Sequence, residues 1–517
     1  MKKISKCICC CIALAGLVLT SCNDMLETKN FTDMTPSNFF KTESDIDASI
    51  LGLYLPCTTN WGFTDKGVGY YQTGLFCADI KSTYTSAMVT TDIIKTYSSN
   101  PYEEFIVGPS TVVSGKQGGI LDTYNLMRFV ARATDIINQI NNCSAGTENV
   151  RNRYIAEAKT LRAYYMYTLL DWFGPVNVKL DPVTLMDNTV EPRPDELTYV
   201  KYILQDLEDA INTQAFPNKY NDDAGNWGRM SKAIAYAVRM KTYMHQKDWA
   251  NSKADALELM NMGFEIISNY EDVFNLDRTA EHIWSVPSNT ASDNYYITEL
   301  LPADFKRGYN HENWSYIRGT ENDYQPGWQI FCMRWDFYDT FEDCDKRKAT
   351  ILCKYDTNEG KTKDRNSGMV GALPLKYTDT QFKHAGIQKA FPVIRYAEVL
   401  LSYAEAENEL NGPTQNAQNA IQPILTRANV TIPATAIANK EAFRDYLLEE
   451  RGRELHCEGQ RRQDLIRHGV YIERAKKRGN DAQDYQVLFP IPQKVIIEAN
   501  GIIEQIRVIR IKSIISK

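Results

Sequence analysis

Apolar side chains recur every three to four positions along most of this chain, the spacing that lays one hydrophobic stripe along an α-helix. "TESDIDASILGLY" (42–54) places Ile46, Ile50 and Leu53 on one face behind a Thr-x-x-Asp start, close to a capping box. "GILDTYNLMRFVARATDIINQI" (119–140) and "NVRNRYIAEAKTLRAYYMYTLLDWFG" (149–174) follow, the second stopped at Gly174 before Pro175. Helices are also predicted over 196–212, 229–246 and 248–263, the last two joined by almost no loop. The period returns at 393–412, 414–430 and 440–469, with Pro423 expected to kink or end its segment. Short turns, small residues at contact positions and aromatics beside them suit antiparallel helix pairs stacked in the manner of tetratricopeptide repeats, although the chain shows no clean self-match at that period. The fold class expected is therefore predominantly all-α: tetratricopeptide-like pairs forming a scaffold, with long irregular loops and few short strands.

Two stretches break the helical pattern and are rich in rings. One is "CTTNWGFTDKGVGYYQTGLFCADIKSTYTS" (57–86); the other runs from Tyr295 to Tyr338 with 12 aromatics in 44 residues, 27% against 11% for the whole chain. Long loops in compact proteins are either functional or disordered, and disordered segments are poor in aromatics. These two are expected to be ordered and to serve a ligand.

The amino terminus changes the picture most. "MKKISK" is a basic start and "CICCCIALAGLVL" an apolar run of 13 residues, too short to span a bilayer and suited to the core of a secretory signal. It ends in "LTSC", so residues 1–21 are expected to leave as a lipoprotein signal, with Cys22 acylated and residues 22–30 as a tether. No later run approaches spanning length. The remainder is divided at 270 into an N-terminal helical region (31–270) and a C-terminal region (271–517).

Charge and cysteines mainly exclude. A formal charge of −7 and 43% hydrophobic residues describe an ordinary globular chain and argue against a nucleic-acid binder. Once the signal is removed and Cys22 lipidated, Cys57, Cys77, Cys143, Cys332, Cys344, Cys353 and Cys457 remain; with no CxxC and no pairing with histidines, no metal site is predicted. Cys344 and Cys353 are the nearest pair and could bridge. Neither a GxSxG, an HExxH nor a phosphate-binding loop is present.

The densest ionisable stretch is "LLEERGRELHCEGQRRQDLIRHG" (447–469). A helix would set Glu450, Glu454 and Glu458 on one face, with Arg451, Arg453, Arg461 and Arg462 near enough to neutralise them and Asp464 beyond. Carboxylates that find arginine forks inside a protein are commonly structural. Adjacent His456 and Cys457 point different ways on a helix and suit no metal. The stretch is read as scaffold, with no catalytic residue assigned and no cofactor called for.

Several segments together resemble the SusD/RagB family of outer-membrane nutrient-binding lipoproteins. "AEAKTLRAYYMYTLLDWFGPVNV" (156–178), "FPVIRYAEVLLSYAEAENEL" (391–410), "ERGRELHCEGQRRQDLIRHG" (450–469) and "LFPIP" (488–492) are similar to its motifs, in order, behind the lipobox-like start; "YEDVFNLDRTAEHIWSVP" (270–287) and "FYDTFEDCDKRKATI" (337–351) also fit. The resemblance implies an oligosaccharide site, occasionally for peptide, away from the helix pairs. It also implies a partner, a SusC-type TonB-dependent outer-membrane barrel. The family's usual ending near QNPGY is replaced here by "EQIRVIRIKSIISK" (504–517).

Ligand contacts vary among members of that family, so candidates are taken from this chain's own chemistry. A sugar offers an apolar C–H face and a rim of hydroxyls, matched by flat rings among amides and charges. Trp314, Tyr316, Tyr324 and Trp328 beside Asn310, Asn313, Arg318, Asn322 and Asp323 have that mixture. Trp61 with Asn60, and Tyr70 with Tyr71, form a second group. Trp335, Phe337, Phe341, Trp172, Trp249 and Trp284 are expected in the core.

Overall fold

Thr42 opens the first helix as predicted: its hydroxyl accepts from Asp45 N at 3.3 Å while Asp45 Oδ2 accepts from Thr42 N at 2.8 Å, a complete capping box. In the computed structural model the described residues are 40–57, 61–64, 67–70, 87–109, 123–287, 300–306, 331–376 and 390–505. The long helices are α1 (Glu43–Leu51), α2 (Leu126–Asn142), α3 (Glu148–Phe173), α4 (Glu196–Asn212), α5 (Lys232–His245), α6 (Trp249–Met260), α7 (Tyr396–Asn411), α8 (Gln415–Ala428) and α9 (Lys440–Glu454), followed by short α10 (Arg461–Arg467) and α11 (Tyr471–Lys477).

Helices α2 to α6 pack each on the next, α6 packs on α7, and α7 on both α8 and α9. The stack is continuous in space although the chain leaves it after α6 and rejoins it at α7. Helix α3 is largely buried, with 16 of its 26 residues inside. Ala156, Ala158 and Ala163 are buried along it, which lets α2 and α4 approach closely, and Gly174 closes it at φ 68° with its N–H on Leu170 O at 2.9 Å. Charge pairs then tie neighbour to neighbour. Arg162 grips Asp206 through two bonds of 2.7 Å between α3 and α4, Arg239 grips Asp255 at 2.9 and 2.7 Å between α5 and α6, and Lys253 reaches Glu407 between α6 and α7.

Between α1 and α2, and again between α6 and α7, the chain lays down short strands that pair antiparallel. The strands are β1 (Trp61–Thr64), β2 (Gly67–Tyr70), β3 (Ile94–Thr96), β4 (His282–Val286), β5 (Phe331–Met333), β6 (Ile351–Leu352), β7 (Lys354–Asp356), β8 (Thr362–Asp364), β9 (Leu373–Pro374) and β10 (Phe391–Arg395). They pair β1–β2, β3–β5, β4–β10, β6–β9 and β7–β8. A bridge between Met333 and Ala372 joins the β3–β5 pair to the β6–β9 pair. Close approach there requires Gly371, because a methyl group at that position would meet Met333 O at 2.3 Å and Cys332 Sγ at 2.6 Å.

Four expectations change. The segment 393–412 begins as strand β10 and becomes helical only at Tyr396. Helix α8 does not end at Pro423 but runs through it, with the proline on the exposed face. The segment 440–469 is not one helix: α9 ends at Glu454, the chain turns with Cys457 at φ 63° and Gly459 at φ 78°, and α10 starts at Arg461. Cys344 and Cys353 form no disulfide; the Cys344 thiol is exposed and the Cys353 thiol faces Tyr338. Among the rings expected inside, Trp172, Trp284, Phe337 and Phe341 are buried, whereas Trp249 and Trp335 are half-buried.

Candidate functional site

Glu450, Glu454 and Glu458 are all buried, and their neutralising partners come from far away in sequence. Arg347 Nη1 bonds Glu450 at 2.7 Å and Glu454 at 3.1 Å; Arg395 reaches Glu454 at 2.7 Å, Glu458 at 2.6 Å and Glu281 at 2.7 Å; Arg427 bonds Glu454 and Glu281, each at 2.6 Å. Lys376 adds 2.7 Å to Glu458. Of the arginines expected to serve these carboxylates, only Arg453 does so, at Glu450. Arg451 instead meets Asp464 from another face of α9, while Arg461 meets Asp92 and Glu449 and Arg462 meets Asp171, because the break after Glu454 carries those two to another side. The aromatic rings of Tyr270 and Phe274 cover the arginines. His456 is buried, its Nδ1 at 2.8 Å from Arg453 O.

Burial pushes the Glu454 carboxyl upward, but the combined charge of Arg427, Arg395 and Arg347 outweighs it and holds the group well below its usual range. Glu458 is lowered in the same way by Arg395 and Lys376, Glu405 by Arg467 and His468, and Asp464 by Arg451 and Arg467. A carboxyl kept ionised this firmly is a poor general acid. Because their folded pKa values lie below the unfolded ones, these groups contribute stability that is fully present above about pH 4.5 and lost as pH falls through the folded values. Thermal melts at stepped pH should therefore show a midpoint that declines below about pH 6.5, where buried neutral imidazoles such as His456 oppose protonation, and falls further as the carboxylates lose their charge below about 4.5; a midpoint no lower at pH 3 than at pH 5 would contradict the network's role.

The aromatic segments relate to the frame differently. Strand β3 follows residues 58–86 and strand β5 follows residues 307–330, and the two pair antiparallel with Ile94 opposite Met333, Lys95 opposite Cys332 and Thr96 opposite Phe331. Both ring-rich stretches thus rejoin the frame at one strand pair. Arg334 fixes it, its N donating to Ile93 O and its Nε to Ile94 O, each at 2.8 Å, with its guanidinium on Glu103, which also receives Thr96 N at 2.7 Å. Asp92, just upstream, is held by Arg461 at 2.9 Å and by Arg474. Through Arg461 the charge-rich stretch 447–469 therefore also holds the segment leading into β3, a role only the folded chain reveals.

Of the sequence-assigned ligand residues, Trp61 and Tyr70 occupy paired positions in the backbone register of β1 and β2. Tyr71, Asn313, Trp314, Tyr316, Arg318, Tyr324 and Trp328, and the lipidation site Cys22, lie outside the described residues. Among the described residues a cavity of about 510 Å³ opens between 102–109, Tyr471 and 485–490, walled by Tyr102, Phe105, Tyr471, Tyr485 and Phe489. Gln505 closes one side, bonding Ile491 N at 2.7 Å and Ile491 O at 2.9 Å. No cluster of metal-ligating side chains, and no helix long and apolar enough to cross a membrane, occurs among the described residues.

Residues 353–505 match the SusD family. Over 515 aligned residues the chain is 25% identical to SusD-like protein P25 of Formosa agariphila, covering 91% of this chain and 93% of that one. The SusD family is the one this chain matches. A further SusD relative, the starch-binding protein SusD of Bacteroides thetaiotaomicron, is 24% identical over 67% of this chain and 70% of its own. The SusD-like fold extends to a solved structure, the surface glycan-binding protein A from Bacteroides thetaiotaomicron in complex with laminarihexaose, with TM-score 0.69, 18% identity and coverage of 90% and 99%. This likeness in fold agrees with the helical frame and few short strands described above.

Proposed function

We propose that this SusD-family chain is a non-catalytic, lipid-anchored protein of the outer-membrane surface that binds oligosaccharide and delivers it to a SusC-like TonB-dependent transporter. The observation that carries the reading is the common footing of the two ring-rich segments on β3–β5, while the chain's densest carboxylates are buried under arginines. Rings gathered over a rigid support suit the C–H faces of sugars. Relatives with glycan-binding names support the ligand class. Acyl chains on Cys22 would hold the frame at the membrane, each buried methylene contributing about 0.8 kcal/mol. Cys22→Ser should then shift the protein from the membrane to the soluble fraction, and an unchanged partition would remove the anchor from the proposal.

Soluble polysaccharides, including starch and laminarin, offered to the purified chain should be retained without gain of reducing ends. New reducing ends that disappear in Glu454→Gln would make it a hydrolase. Binding confined to a peptide panel would make it a peptide-capturing member of the same family.

A further inference from the structure

The sequence drew no attention to Trp227, which lies in the turn "NDDAGNWG" (221–228) between α4 and α5. The turn is built from successive backbone bonds, Asp223 N to Tyr220 O at 3.0 Å, Asn226 N to Asp223 O at 3.3 Å and Arg229 N to Asn226 O at 3.1 Å. Both of its ends are pinned. Asn221 Nδ2 donates to Thr279 O and His282 O at 3.0 and 2.9 Å, and Arg229 grips buried Glu157 through two bonds of 2.9 Å. Gly228, at φ 93°, sits where a methyl group would meet Pro287 at 2.6 Å, and its carbonyl receives Trp284 Nε1 at 3.2 Å.

The indole is as constrained as its backbone. Its Nε1 donates to Asp277 O at 3.1 Å, and its ring stacks on His282 with centroids 6.3 Å apart and planes 30° apart. His282 is buried, its Nε2 donating to Val273 O at 2.6 Å, and burial pushes its pKa down to about 4, so the supporting imidazole is neutral in ordinary conditions. Trp227 is half-buried, with part of its surface open to solvent. A tryptophan whose nitrogen is already bonded and whose tilt is fixed loses little freedom when something settles on its ring.

The neighbourhood has sugar-binding chemistry. Asp222, Asp223, Asp277 and Arg278 are exposed on the two segments that meet at the indole. The place is also a junction. Strand β4 ends beside this turn and leads on toward Tyr295, and Asp277 Oδ1 receives Ala390 N at 3.1 Å, where the chain enters β10. The β4–β10 pair is thus the other footing of the ring-rich stretch whose far end returns at β5.

We propose that Trp227 is a frame-mounted stacking platform for a pyranose ring of the bound glycan, with the carboxylates and guanidinium around it meeting the sugar's hydroxyls. The proposal rests on the glycan-binding reading and adds a fixed contact on the helical frame to those on the excursions. The test uses the whole mature chain and whichever of starch or laminarin it retains. Trp227→Ala should weaken binding roughly 10- to 30-fold, the scale of a tryptophan hot spot, and Trp227→Phe should recover part of the loss. In 5-fluorotryptophan-labelled wild-type protein, the fluorine resonance that vanishes in Trp227→Phe should shift on adding the glycan, a readout that does not depend on the alanine variant folding. A lowered melting temperature with unchanged affinity and an unmoved resonance would make Trp227 a packing residue and overturn the platform alone. Failure of the wild type to retain any polysaccharide would overturn the glycan reading, and the platform with it.

Discussion

Glu454→Ala lowers the free energy of unfolding by about 3–5 kcal/mol, the cost of breaking a buried ion pair by removing one partner. The carboxylate sits among Arg347 at 3.1 Å, Arg395 at 2.7 Å and Arg427 at 2.6 Å, all buried. Alanine leaves three guanidiniums facing one another without the charge that offsets their desolvation. Arg347 keeps Asp345 and Glu450, Arg395 keeps Glu281 and Glu458, and Arg427 keeps Glu281, so the loss stops short of that for three independent pairs. Urea titration of the two proteins measures the difference. A loss below about 1 kcal/mol, the ceiling for exposed pairs, would mean that water reaches the site and the network is not the support described above.

Replacing Trp314 and Trp328 together with alanine should abolish measurable retention of the glycan while leaving the melting temperature within about 2 °C. Each ring removed from a desolvated contact costs on the order of 2 kcal/mol or more, so the pair weakens binding at least several hundred-fold. Stability is spared because the segment's return point at β5 is held by Arg334, Glu103 and the Met333–Ala372 bridge. Affinity electrophoresis in gels containing starch or laminarin separates the cases. Unaltered mobility of the double variant against a retarded wild type would take the contact away from these two rings.

The helices were legible because their signals are local. The apolar period, the Thr42 cap and the Gly174 stop each act within a few residues, and the helix read over 196–212 is the one that forms. Signals that depend on distant residues were not legible. Nothing near Glu454 announces Arg347, Arg395 or Arg427, and the turn at Cys457 interrupts an apolar period that continues across it in sequence. Whether Pro423 would end its helix depended on which face meets water, and that is set by packing. Trp227 was overlooked for a related reason: no aromatic cluster surrounds it in the chain, and its value comes from His282 and Asp277, brought beneath it by folding. Composition did pick out the ring-rich stretches, yet their shared footing on β3–β5 appears only in the pairing register.

The contact between Phe264 and Tyr396, with ring centroids 6.1 Å apart, marks where the chain departs from the helical stack and where it comes back. The two doorposts stand side by side whatever length of chain runs between them. The entropy of closing such a loop grows only logarithmically, about 0.6 kcal/mol for each doubling, so insertions and deletions there barely burden the helices. A chain built this way can change in length between those two rings while the helices beneath keep their packing.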